Sequence, residues 1–300
     1  GRDSAAAVRK TSRPVVIVLA AGLVAVAVVF GIKAAGWGLV AAIAVGTAAW
    51  MLRRSTAERI RRNRADGRAR HGAPVMSARA VRRAAVVGAG AWGTTFACLL
   101  VEAGTPTTLW ARRDHVAAEI NAGSNERYVP GRRLPEGVSA TSDLGRAVEG
   151  ADLIVVAVPS QSAREVLSPL QGGLGPDVLA VSLMKGVELG TGLRMSQVLT
   201  EALDLPAERV AVISGPNLAD EIAARQPTAT VVAATDEAVA ARVAALCATS
   251  TFRPYTNTDV LGVELCGAIK NVIALAVGAA VGCGFGDNSK ATIITRGLVE

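Results

Sequence analysis

Three hundred residues with 51% hydrophobic content can bury a sizeable core, and the length suggests two folding units. The net charge of +7 is unevenly placed: residues 1–83 carry +13, with only Asp3, Glu58 and Asp66 as acids, and residues 84–300 carry −6. The basic character therefore belongs to the N-terminal arm, and with aromatics at 3% there is little material for base stacking. Nucleic acid is excluded as a partner on these grounds.

In chain order, the first feature is apolar. From Pro14 to Leu52 the only charge is Lys33, between an apolar run at Val15–Ile32 and a second at Ala34–Leu52. Each run is roughly 18 residues, about 27 Å as a helix, which just crosses a hydrocarbon core. Arginines flank both ends, so the expectation is a transmembrane hairpin over 1–54 with both termini cytoplasmic. The competing reading is that residues 1–75 are foreign to the folded part of the chain, which would then start at Met76. Residues 55–82 form a basic linker suited to anionic headgroups.

After the linker, β and α patterns alternate. Strands are expected at Ala84–Gly88, Thr107–Ala111, Asp152–Val158, Val178–Leu183, Val210–Ser214 and Thr228–Ala234. Helices are expected at Thr94–Ala103, Asp143–Glu149 and Ser162–Leu170. A long apolar helix follows at Val260–Val281, behind a Thr258–Asp259 cap. The fold class is α/β: a doubly wound parallel Rossmann sheet over 83–257, then the start of an all-helical substrate domain over 258–300. Cys98, Cys247, Cys266 and Cys283 are too scattered for a zinc site or disulfide frame and read as reduced packing thiols. His115 falls in a polar turn region, and no metal is expected.

Gly88-Ala89-Gly90-Ala91-Trp92-Gly93 follows the first strand and opens a helix, where a GxGxxG turn can cradle a pyrophosphate. The second strand ends in Ala111-Arg112-Arg113 in place of the carboxylate that would bind ribose hydroxyls. Two guanidiniums there suit a 2′-phosphate, so NADP(H) is expected over NAD(H). Only five of the 32 basic residues are Lys. Lys185 ends a strand at the ligand-binding edge, and Lys270 sits mid-helix among apolar residues, where desolvation favours proton transfer.

With Ser182-Leu183-Met184-Lys185-Gly186, Ile213–Ala219, Gly262–Val272, Gly284–Lys290 and Thr295-Arg296-Gly297 in order, residues 83–300 resemble bacterial NAD(P)H-dependent glycerol-3-phosphate dehydrogenase. The resemblance implies that Gly88, Gly90, Ala91, Trp92, Gly93, Arg112, Arg113, Tyr128, Lys185 and Ala219 bind the cofactor. It assigns Lys185, Gly215, Asn217 and Lys270 to the substrate, dihydroxyacetone phosphate or sn-glycerol 3-phosphate, with Lys270 as the acid/base beside Asn271. Asn217 departs from the Ser or Thr common there. A cytoplasmic homodimer is expected; if the apolar hairpin belongs to the protein, residues 14–52 would anchor it to the inner face of the membrane. The family continues past Thr-Arg-Gly into helices with an Asp and an Arg-Asn pair for the substrate phosphate, so a chain ending at Glu300 is expected to be an impaired fragment. The rivals are a related dehydrogenase for another small keto or hydroxy substrate and a non-catalytic membrane-bound NADP(H) sensor.

Overall fold

In the computed structural model, strand β1 (Ala84–Val87) is buried along its whole length. Its alternation sends Ala84 and Val86 into one core layer with Phe96, Leu100 and Leu109, and Ala85 and Val87 into another with Ile154, Leu167 and Leu199. Strands β4 (Leu153–Val156) and β5 (Leu179–Ser182) are buried in the same way. A strand apolar on both faces needs cover on both faces, and helices in the crossovers supply it.

The structure describes residues 81–299, so the expected hairpin over 1–54 and most of the basic linker lie outside the described residues. The chain divides into two units between Ala78 and Arg79, and the described residues belong to the second. The other strands are β2 (Thr107–Trp110), β3 (Val138–Thr141), β6 (Val210–Ser214), β7 (Thr228–Ala234) and β8 (Phe252–Asn257). Sheet order is β3-β2-β1-β4-β5-β6-β7-β8. Strands β1 to β6 are parallel, whereas β7 runs antiparallel to β6 in the register Val212↔Ala233, and β8 is parallel to β7. The doubly wound parallel sheet expected from the sequence is present, with β7 running antiparallel to its neighbour β6. The β6–β7 connection holds only the short helix α6 (Ala219–Ala223), and the chain returns instead of crossing over.

The remaining helices are α1 (Ala91–Glu102), α2 (Asp114–Asn121), α3 (Leu144–Val148), α4 (Ala163–Leu167), α5 (Met195–Leu203), α7 (Glu237–Cys247), α8 (Val260–Gly282) and α9 (Asp287–Val299). Three differ from the sequence expectation. Helix α1 starts three residues early, α2 occupies the region of His115 that had read as a turn, and the expected Ser162–Leu170 helix is α4 flanked by two 3₁₀ turns. Helix α8 matches its expected start: the Asp259 carboxylate accepts from Gly262 N at 2.8 Å. At 23 residues and mean hydropathy 1.9, α8 is long and apolar enough to cross a membrane. Here, though, one face of it rests on the sheet, with Gly267 buried, while Leu261, Val272 and Leu275 are more than half exposed.

Strand order reverses at β1, between β2 and β4. Ligands of open α/β sheets bind outside the strand C-termini at such a switch point.

Candidate active site

The chain turns at Gly88 between β1 and α1. Its φ of +117° and the approach of Ala157 O, 2.8 Å from where a Cβ would stand, admit only glycine. At Gly93 a Cβ would overlap the Gly88 carbonyl oxygen, so the missing side chain lets helix and turn close together. Above them the surface is open: among the described residues nothing lies within 4 Å of a Cβ placed at Gly90. Gly90 caps α1 without a side-chain bond, which leaves the first N–H groups and the positive helix end facing the opening. That is the donor set a pyrophosphate needs, so a dinucleotide fits this turn.

The turn forms one wall of a cleft of about 470 Å³. Gly88, Gly90, Ala91, Trp92, Arg112, Arg113 and Tyr128 all line it, so seven of the residues expected at the cofactor are brought together. Gly93 lies beneath, buried. Arg113 is the N-cap residue of α2, and Arg112 is exposed beside it. Both arginines line the cleft next to the glycine turn. Trp92 packs edge-on against Phe96 at 5.5 Å and against Phe252 at 6.3 Å, so buried rings from α1 and β8 hold the indole at the cleft wall.

A second group of residues gathers at the ends of β5 and β6. Lys185 Nζ donates to Gly215 O at 3.0 Å. Burial, and next the charge of Lys270, push the Lys185 ammonium below its usual 10.5. Gly267, one turn before Lys270 on α8, is the near point: a Cβ there would lie 4.0 Å from Lys185 Cγ, and the Lys270 side chain is exposed. Asn217 N donates to Gly215 O at 2.9 Å, and its Nδ2 to Thr230 Oγ1 at 3.0 Å. Asn217 Oδ1 is buried without a partner among the described residues, an acceptor available to a hydroxyl. Lys185, Gly215 and Asn217 thus form one group, with Lys270 on the helix that packs against it. Ala219 starts α6 two residues past Asn217 and is not among the residues lining the dinucleotide cleft; Asn271 is exposed beside Lys270.

Two supporting residues were not singled out from the sequence. Thr230, on the antiparallel strand β7, donates to Ser214 O at 3.1 Å while accepting from Asn217. Glu264 accepts from Arg194 Nη1 at 2.5 Å, Ser196 N at 2.7 Å and Ser196 Oγ at 2.6 Å, tying α8 to the start of α5. One turn on, a Cβ at Gly267 would overlap Ser214 Oγ, and Lys185 Cγ lies 4.0 Å away. The clamp and the close approach together hold the α8 turn before Lys270 against the strand ends. Nothing in the local pattern at Glu264 distinguishes it from a surface acid, because its partners lie about 70 residues away.

The comparisons agree with this architecture. The family pattern for the N-terminal part of NAD-dependent glycerol-3-phosphate dehydrogenase matches residues 83–240, and that for its C-terminal part matches 259–300. The chain belongs to the NAD-dependent glycerol-3-phosphate dehydrogenase family. Glycerol-3-phosphate dehydrogenase [NAD(P)+] of Streptomyces griseus subsp. griseus is 56% identical over 219 residues, 73% of this chain and 65% of that protein. The enzyme of the same name from Thermobifida fusca is 56% identical over 220 residues, 73% of this chain and 66% of its own. The crystal structure of glycerol-3-phosphate dehydrogenase from Coxiella burnetii superposes with a TM-score of 0.68 at 35% identity, covering 73% of this chain and 67% of that one. The chain spans about 65% of the length of the curated relatives it matches. The family assignment covers both residue groups: the glycine turn and arginine pair fall in the first matched part with Lys185, and Lys270 falls in the second.

Proposed function

We propose that the protein reversibly reduces dihydroxyacetone phosphate to sn-glycerol 3-phosphate with NADPH, supplying phospholipid synthesis. The observation that carries this reading is the Lys185–Gly215 bond at the strand ends, beside Asn217, with α8 packed against it at Gly267, one turn before Lys270. The names of the relatives, glycerol-3-phosphate dehydrogenase [NAD(P)+], support the substrate.

In this proposal Gly88, Gly90, Ala91, Trp92 and Gly93 hold the pyrophosphate end of the dinucleotide, Arg112 and Arg113 its 2′-phosphate, and Tyr128 and Ala219 add to the walls. When bound, the nicotinamide supplies the hydride that reduces the C2 carbonyl. Lys270 donates a proton to the oxygen developing at C2, and Asn217 Oδ1 accepts from a substrate hydroxyl. Lys185 bridges the two subsites and adds positive charge where negative charge builds. Asn271 would steady Lys270 from the next position on α8.

The test is NADPH oxidation with dihydroxyacetone phosphate set against carboxylated ketones of similar size. Turnover confined to the phosphorylated ketone supports the proposal, and preference for a keto acid contradicts it. The proposal places the reaction in the cytoplasm, where the free thiols at Cys98, Cys247, Cys266 and Cys283 suit a reducing milieu. It makes residues 14–52 an anchor to the inner membrane face, which a wholly soluble protein after fractionation would contradict.

A further inference from the structure

Asn125 is fully buried; its Oδ1 has no partner among the described residues, whereas its NH₂ end has two. Its Nδ2 donates to Ala89 O at 3.2 Å, inside the glycine turn, and to Thr94 Oγ1 at 2.9 Å, in the first turns of α1. The Ala89 carbonyl can only accept, so the NH₂ end of the amide must face it. The backbone carbonyl of Asn125 in turn accepts from Tyr128 N at 3.0 Å and Val129 N at 2.8 Å. Leu134 N closes back on Gly123 O at 2.9 Å, and Gly131 N on the Glu126 carboxylate at 2.9 Å, so residues 123–134 form a tightened loop around this residue. Tyr128 lies on that loop and lines the cleft; Asn125 does not.

We propose that Asn125 is a positioning residue for the dinucleotide: one buried amide joins the phosphate cradle to the loop that presents Tyr128, so the two walls of the cleft keep a fixed separation. The inference rests on the nucleotide site proposed above. Asn125 touches the cradle through its side chain and the Tyr128 turn through its main chain. Removing the amide leaves the Ala89 carbonyl and the Thr94 hydroxyl without a buried donor and frees the cradle to shift relative to Tyr128. Affinity for the dinucleotide then falls although no atom in contact with it has changed. Because the 2′-phosphate is held by Arg112 and Arg113 on a different wall, NADPH and NADH weaken by the same factor.

The test is direct nucleotide binding, followed by calorimetry or quenching of Trp92 fluorescence, well below each protein's unfolding midpoint. Wild type that binds neither NADPH nor NADH defeats the underlying site proposal. With wild-type binding established, Asn125→Asp and Asn125→Ala should each weaken both nucleotides about 10-fold or more and leave their ratio unchanged. Thr94→Ser, which keeps the acceptor, should bind as wild type. Asn125→Ala combined with Tyr128→Ala should lose little more than the greater single loss, because both changes act on one wall. If the Asn125 variants fail to fold, Thr94→Val removes one of the two anchors and must still weaken both nucleotides. Folded variants with wild-type affinity, a changed nucleotide ratio, or additive losses in the double variant would each overturn the inference.

Discussion

Glu264 receives both the backbone N–H of Ser196 at 2.7 Å and its hydroxyl at 2.6 Å, so the start of helix α5 is fastened to helix α8 two turns before Lys270. The carboxylate is nearly enclosed, with 7% of its side chain exposed, and Arg194 completes its shell. Glu264→Ala strands the Arg194 charge and the Ser196 donors. It should destabilise the protein by about 3 kcal/mol, the scale of a broken buried pair. Glu264→Gln keeps the shape and one acceptor and should cost less. Urea unfolding measures both, and equal stability of Glu264→Ala and wild type would contradict the clamp.

The neighbouring contact is steric. In an exposed helix Gly→Ala stabilises by about 1 kcal/mol. At Gly267 the new methyl would overlap Ser214 Oγ, so Gly267→Ala should destabilise and tilt α8 away from β6. Removing the obstruction with Ser214→Ala should recover most of the loss in the double variant. A thermal midpoint for Gly267→Ala at or above wild type would show that the helix has room to spare.

Lys185 carries a pH signature. Its folded-state affinity for a proton is lowered, first by burial and second by Lys270, from the usual 10.5. The unfolded chain therefore binds the proton more tightly, and stability contributed by this group rises with pH in the window leading up to 10.5. Below the folded value both states are protonated and the penalty is constant. Relative to Lys185→Met, wild type should gain stability as pH climbs into that window. A difference independent of pH would contradict the assignment, and the slope should shrink in Lys270→Met, where one of the two causes is gone.

In the proposed function, cofactor choice rests on the arginine pair. Arg112→Ala with Arg113→Ala should weaken NADPH by roughly 10-fold to 100-fold, the scale of one or two lost charge-assisted contacts, and NADH far less. Equal weakening of both nucleotides in a binding titration would remove the 2′-phosphate role.

Local patterns exposed part of this architecture and long-range contacts the rest. Strand β1 and its glycine turn were legible because an apolar run followed by GxGxxG has few structural solutions. The start of α1 was misplaced because Gly93 weakens helical propensity, yet the helix includes it so that turn and helix can touch. Strands β3 and β8 escaped notice for a common reason: both are edge strands. Strand β3 reads Val-Ser-Ala-Thr with no buried residue, and β8 contains Pro254, which only an edge tolerates. The lysines stood out by their rarity among arginines. Glu264, Thr230 and Asn125 did not, because each acts on a partner that only the fold brings near.

The central claim is that the cation on α8 supplies the proton at the site where the dinucleotide and the carbonyl meet. Its most direct test is single-turnover reduction of dihydroxyacetone phosphate by the full-length protein carrying Lys270→Ala, with NADPH affinity measured alongside. The account predicts a chemical step slower by roughly 10²–10⁴-fold with nucleotide binding intact. A chemical step at the wild-type rate would contradict it.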